Sequence, residues 1–292
     1  MHAGTKVYFY LLFSSLFYGL GAVTEFIVIR HAPFGASLFL FAIGGFLFLP
    51  LFLKLSNAKV KPPKPIYWIF SGIASLVVSV FLVILYLGYA RFTLASMYPL
   101  IGVAGLVFLL IDTVIYHKRI RSEKLLLLSF GVFLVTIGVY FAEIKDAKFQ
   151  IQTLPFVLGI AALSGVGYYL QYYKIHKYTA GSKVLLEPVF LLLFALLFSI
   201  PVANVGLFYA FLGVFSGAMT LGGSAFELAA VNTEKAKTTE QYVIKKNFII
   251  NFENSDILIV LAGSILVGSY YPIEIFGGML IVVGLVLIDA LK

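Results

Sequence analysis

Gly131-Val132-Phe133-Leu134-Val135-Thr136-Ile137-Gly138 has a counterpart 146 residues on, in Gly277-Gly278-Met279-Leu280-Ile281-Val282-Val283-Gly284. The same offset relates Gly19-Leu20-Gly21 to Gly165-Val166-Gly167, and Gly35-Ala36-Ser37 to Gly181-Ser182-Lys183. Glycine and leucine are common in this chain, so each match alone is weak. Three matches at one offset, half of the 292 residues, point to a duplicated chain. The first pair falls in the fifth apolar segment of each half. Five is odd, so the second half enters a membrane from the side opposite to the first. The expected architecture is an inverted-topology repeat, an arrangement typical of secondary transporters with a substrate site between the repeats.

Ten apolar segments surround these motifs, at about 7–29, 35–54, 66–90, 95–116, 124–143, 153–173, 183–201, 205–231, 248–270 and 273–291. Each is long enough to cross roughly 30 Å of hydrocarbon at about 1.5 Å per residue. Pro33 with Gly35, then Pro62, Pro63 and Pro65, then Pro155, Pro201 and Pro272 separate them. The fold class expected is therefore an all-α polytopic membrane protein of ten transmembrane helices. Residues 1–146 form the first five-helix repeat and 147–292 the second.

Composition agrees. The chain is 61% hydrophobic and 16% aromatic, with 12% charged residues against about 25% in a soluble domain. That excludes a soluble enzyme, a nucleic-acid binder and a disordered chain. The net charge of +8 has a plainer cause than nucleic acid. With the N-terminus placed inside, 17 of the 21 Lys and Arg fall in inner regions and 4 outside. This positive-inside split puts both termini in the cytoplasm of a multi-pass cell-membrane protein. The first segment lacks a small-residue cleavage site and reads as a retained helix. Cysteine is absent, and the four His have no metal-ligand spacing. No metal, cofactor or catalytic set is expected.

Leu85-Tyr86-Leu87-Gly88-Tyr89-Ala90-Arg91-Phe92-Thr93-Leu94-Ala95-Ser96-Met97-Tyr98-Pro99 has an aromatic and an Ala closing the third segment, a small-residue turn, and a Pro opening the fourth. Together with the Gly-x-x-Leu-x-x-x-Gly of segments five and ten, it resembles the ten-helix EamA-like form of the drug/metabolite transporter superfamily. The resemblance covers the whole chain. It departs from the usual pattern at His117-Lys118-Arg119, where a Glu-Arg pair is common, and in a longer polar loop before segment nine. It implies a carrier whose central cavity is lined by helices 1, 3, 4, 6, 8 and 9. Relatives move amino acids, drugs, nucleotide-sugars or sugar phosphates, so fold alone names no substrate.

Ionisable groups within a span cost roughly 2.5–3.5 kcal/mol at its centre, so depth ranks them. Glu253 and Asp256 stand one turn apart early in segment nine, with Asn254 adjoining. They read either as a site for an ammonium group or a coupling proton, or as an interfacial stretch before the helix begins. Glu25 lies in the outer third of segment one, where it lines a vestibule or pairs with Arg30 or Arg91. Glu227 and Asp112 lie a turn from the inner surface, as gate residues paired with lysines or as snorkelling contacts. Glu187, before Pro188, reads as a helix-start acid. Tyr86, Tyr89, Tyr98, Tyr168 and Tyr172 are candidates to line the cavity, offering a flat face and a hydroxyl. An interfacial aromatic belt is the alternative. Lys245 and Lys246 resemble the basic pair of sugar-phosphate carriers, although the charge count leaves them in a cytoplasmic loop.

The expected function is secondary transport of a small organic solute, an amino acid or related amine-bearing metabolite, by alternating access. Protons are a candidate coupling ion, and the protein is a monomer or weak homodimer in the lipid bilayer. An organophosphate or nucleotide-sugar antiporter and a lipid-carrier translocase are the alternatives.

Overall fold

The structure is a computed structural model that describes residues 3–55, 60–62, 64–103, 107, 122–145, 148–149, 151–173, 180–198, 200–232 and 255–290. Asp112, Lys245, Lys246, Glu253 and Asn254 lie outside the described residues. The described chain is almost wholly helical. The helices are α1 (Ala3–His31), α2 (Phe34–Leu55), α3 (Tyr67–Tyr89), α4 (Leu94–Met97), α5 (Ser122–Ala142), α6 (Leu154–Tyr173), α7 (Ala180–Leu197), α8 (Leu207–Asn232), α9 (Asp256–Leu266) and α10 (Pro272–Ala290). A 3-10 turn, Tyr98–Gly102, continues α4. One minimal β-ladder, β1 (Ile144–Lys145) against β2 (Lys148–Phe149), joins α5 to the second half.

Among the described residues, four helical stretches are long and apolar enough to cross a membrane: Lys6–His31, Phe34–Leu55, Tyr67–Tyr89 and Leu207–Ala230. This is the signature of a membrane protein. Shorter apolar helices occupy most of the other expected spans. Helix ends follow local chemistry. α1 stops ahead of Pro33, as the residue before a proline disfavours the α region. α6 and α10 carry Pro155 and Pro272 in their first turn, where the missing N–H costs nothing. α9 closes on Gly268, whose φ of 66° is left-handed. There Ser269 N–H donates to the Ser264 carbonyl at 2.9 Å, and Gly268 N–H to Ile265 at 3.2 Å, the double bond of a Schellman cap.

One boundary differs from the sequence expectation, with consequences for the site. α7 begins at Ala180, about a turn before the expected start, so Lys183 lies within the helix. The fourth segment opens with α4. Thr93 caps it, its side chain accepting from Ser96 N–H at 3.2 Å.

The helices pair in defined directions. α1 runs antiparallel to α8: Ser14 Oγ donates to the Gly223 carbonyl at 3.1 Å, and Ser216 Oγ to the Gly21 carbonyl at 2.9 Å. α1 runs parallel to α9, with Ser255 Oγ 3.0 Å from Ser15 Oγ and Val23 against Gly263. α2 lies parallel to α8, with Leu40 at Gly213 and Phe52 at Gly222. α3 lies parallel to α7 through a serine stripe: Ser71 reaches Ser182 at 2.7 Å, Ser75 the Lys183 carbonyl at 2.8 Å, and Ser79 the Glu187 carbonyl at 3.2 Å. α3 is antiparallel to α6, and α5 to α10. Packing by small residues and interhelical hydroxyl bonds is what apolar surroundings require, since lipid offers helices no hydrophobic drive to associate. The opposite face of α1 is exposed and apolar, at Tyr8, Phe9, Leu12, Phe13, Leu16 and Leu20.

Candidate functional site

The helices line a cavity with about 100 Å³ of space open to water. Side chains from α1, α3, α4 with its 3-10 turn, α6, α7, α8 and α9 line it. Six of these are the helices that the family resemblance implies. α7 is an addition, and it enters through Lys183 and Glu187. Most of the wall is apolar, so the few polar groups stand out.

Most of those groups are paired, while the buried Tyr89 hydroxyl on the same wall makes no hydrogen bond. Tyr98 Oη donates to Asp256 Oδ2 at 2.7 Å, a bond closed between residues 158 apart in sequence. Tyr18 Oη lies 2.7 Å from Glu227 Oε2 and 2.9 Å from Ser224 Oγ. Lys183 Nζ lies 2.8 Å from Glu187 Oε2, one turn along the same helix. All three carboxylates are buried, as is Lys183 at 1% exposure. Hydrogen bonds to a charged group contribute about 1.5–3 kcal/mol each, so each tyrosine stabilises and orients its carboxylate. A buried acid so held, beside aromatic faces and with an open space before it, is suited to an ammonium group.

The sequence candidates divide accordingly. Tyr86, Tyr89, Tyr98, Asp256 and Glu227 line the cavity. Tyr86 and Tyr89 stack obliquely at 5.7 Å, between Phe41 at 5.3 Å and Phe26 at 5.8 Å. They are core and wall, not an interfacial belt. Glu227 lines the cavity, where Tyr18 binds its carboxylate. Glu25 is wholly buried behind the tyrosines, with neither oxygen in a hydrogen bond. It is not the exposed partner of Arg30, whose guanidinium donates instead to the Phe92 carbonyl. Tyr168 and Tyr172 belong to α6, and their side chains lie outside the described residues. Glu187 is more than a helix-start acid, because α7 starts earlier and carries it to the cavity. Tyr18, Lys183, Ser224 and Thr220 were not among the sequence candidates. The signal available for Lys183 was its i,i+4 spacing to Glu187 within an apolar run. Among the described residues no group of His, Asp and Glu is arranged to hold a metal.

One end of the helix bundle is bolted. Thr93 Oγ1 and Tyr271 N–H both donate to Glu274 Oε2 at 2.8 Å. Leu94 N–H donates to Ser269 Oγ at 3.1 Å. These bonds tie the start of α4 to the α9–α10 turn, at the end that carries Arg30 and Arg91.

No protein-family model matches the chain, and no curated protein matches it in sequence. Among solved structures, a crystal structure of a protein superposes with a TM-score of 0.58 at 16% identity, over 97% of this chain and 96% of that one. The likeness is one of fold and runs the full length of both chains.

Proposed function

We propose that the chain is a secondary carrier for a small amine-bearing organic solute, of the EamA-like drug/metabolite transporter type. The observation that carries this is Asp256, a buried carboxylate held by Tyr98 on the wall of a cavity to which both halves contribute. The helix pairing supports a ten-span inverted repeat divided at residues 146 and 147. Exchanging each helix with the one five places on turns α1·α8 into α6·α3 and α2·α8 into α7·α3, with the same relative directions. It maps α2·α7 and α5·α10 onto themselves. At the α5·α10 crossing Gly131 faces Gly284 and Gly138 faces Gly277, so the motif meets its own repeat. A site at such an interface is where alternating access acts. In this reading the protein is a multi-pass cell-membrane protein with cytoplasmic termini, and protons are its coupling ion.

The organophosphate antiporter is the weaker reading. Lys183 is a cation at the cavity, but Glu187 neutralises it and Glu227 and Asp256 share the same wall. Such a surface repels a phosphate dianion.

A thermal-shift screen on purified protein tests the proposal, using amines, amino acids, sugar phosphates and nucleotides. A ligand that binds only the folded state raises the melting temperature. Amines or amino acids should stabilise the wild type and not Asp256→Asn. Stabilisation by phosphate compounds alone would overturn it.

A further inference from the structure

The cavity is charged in two senses, and the mechanism above uses only one of them. Asp256 and Glu227, on α9 and α8, are acidic and are each held by a tyrosine hydroxyl. Lys183, on α7, is basic and lines the same cavity. It is among the largest fully buried side chains of the protein. Burying an ammonium group is costly, and replacing a buried ion pair as a whole by apolar residues is often neutral or better for stability. A lysine kept at that position beside an open space therefore asks for a use in binding. Its present counter-ion is Glu187 Oε2 at 2.8 Å. Both residues lie on one helix, so the pair forms without help from the rest of the fold. Two serines of α3 bond the backbone carbonyls of Lys183 and Glu187, which fixes that stretch of α7 while leaving the side chains to the cavity. An ammonium group has three N–H donors, so Lys183 can hold a second carboxylate while it keeps Glu187.

We infer that Lys183 receives the carboxylate of a zwitterionic substrate whose ammonium group is held at Asp256, sharing its N–H donors between that carboxylate and Glu187. This rests on the carrier reading and narrows it: the substrate class is the amino acid, and neither the simple amine nor the simple acid satisfies both poles. An amine alone leaves the Lys183–Glu187 pair untouched. A carboxylic acid alone brings a second anion to Asp256 and Glu227.

The test compares three matched sets in thermal-shift and proteoliposome counterflow assays of the full chain. The sets are phenylalanine, phenethylamine and 3-phenylpropanoate; leucine, isoamylamine and 4-methylpentanoate; and valine, isobutylamine and 3-methylbutanoate. Wild type should bind at least one amino acid more tightly than its matched amine by roughly ten- to a hundredfold, the value of one charge-assisted bond. Lys183→Met alone strands Glu187, so the informative variant is Lys183→Met with Glu187→Gln, which removes both charges together. It should bind that amino acid and its amine equally, while Lys183→Arg keeps most of the discrimination. If wild type and the double variant show the same preference, Lys183 does not receive the carboxylate, and the inference falls. If wild type prefers the amine and loses it in Asp256→Asn, the carrier reading stands and the inference falls. If none of the nine compounds binds, both fall.

Discussion

Asp256, Tyr98, Lys183 and Glu187 are where single substitutions separate the account from its rivals. Tyr98→Phe removes the hydroxyl that holds the carboxylate and leaves the ring, so it should weaken amine binding by roughly tenfold without loss of expression. A melting-temperature titration against wild type reads this directly. Lys183→Met should destabilise the protein by about 3–5 kcal/mol, since it leaves Glu187 buried and unpaired, and the double change with Glu187→Gln should recover most of that. Thermal denaturation of the three proteins checks it. At this scale the sequence showed the groups one at a time. Asp256 stood out because an acid in an apolar run is costly, and Tyr98 because it opens the fourth segment beside Pro99. Their bond did not show, because 158 residues separate them and no pattern along a chain reports such a contact. Lys183 was passed over for a different reason. A positive-inside count rewards assigning every lysine near a helix end to a loop, and α7 begins a turn earlier than the apolar run suggests.

At the scale of the element, close crossings and one bolt carry the predictions. A Cβ at Gly217 would collide with the Phe41 carbonyl, which is rigid helix backbone, whereas one at Gly72 meets nothing within 4 Å. Gly217→Ala should cost about 1–3 kcal/mol through separation of α2 from α8. Gly72→Ala should be neutral or slightly stabilising, by up to about 1 kcal/mol. Comparing the melting temperatures of the two variants distinguishes helix packing from a general intolerance of alanine. The Glu274 bonds tie α4 to the α9–α10 turn, so Glu274→Ala should favour opening at that end. The chain has no cysteine, which makes the measurement direct. A single cysteine placed at Ala95, buried in the closed structure, should react faster with a membrane-impermeant maleimide in the Glu274→Ala background. Unchanged reactivity would mean the bonds are not the bolt. The elements themselves were largely legible, because apolar length and prolines mark them. The bolt was not: Glu274 follows Pro272 and reads as an ordinary first-turn acid, and its role comes from Thr93 on a distant turn.

Over the whole molecule, the proposed repeat rests on a shared offset, and the paired directions of the helices are compatible with it. The seam of the site was harder to read, because each half contributes isolated residues and the constellation exists only where they meet. The inverted arrangement predicts that single cysteines introduced near residues 60 and 292 label from the cytoplasmic side, and one near residue 91 from the outside. The most direct measurement for the central claim is counterflow in proteoliposomes loaded with a stabilising amino acid or amine, comparing wild type with Asp256→Asn. The account predicts that wild type accumulates the labelled solute and that the variant, equally folded, does not. Equal accumulation in both would remove Asp256 from the site, and accumulation in neither would remove the carrier function itself.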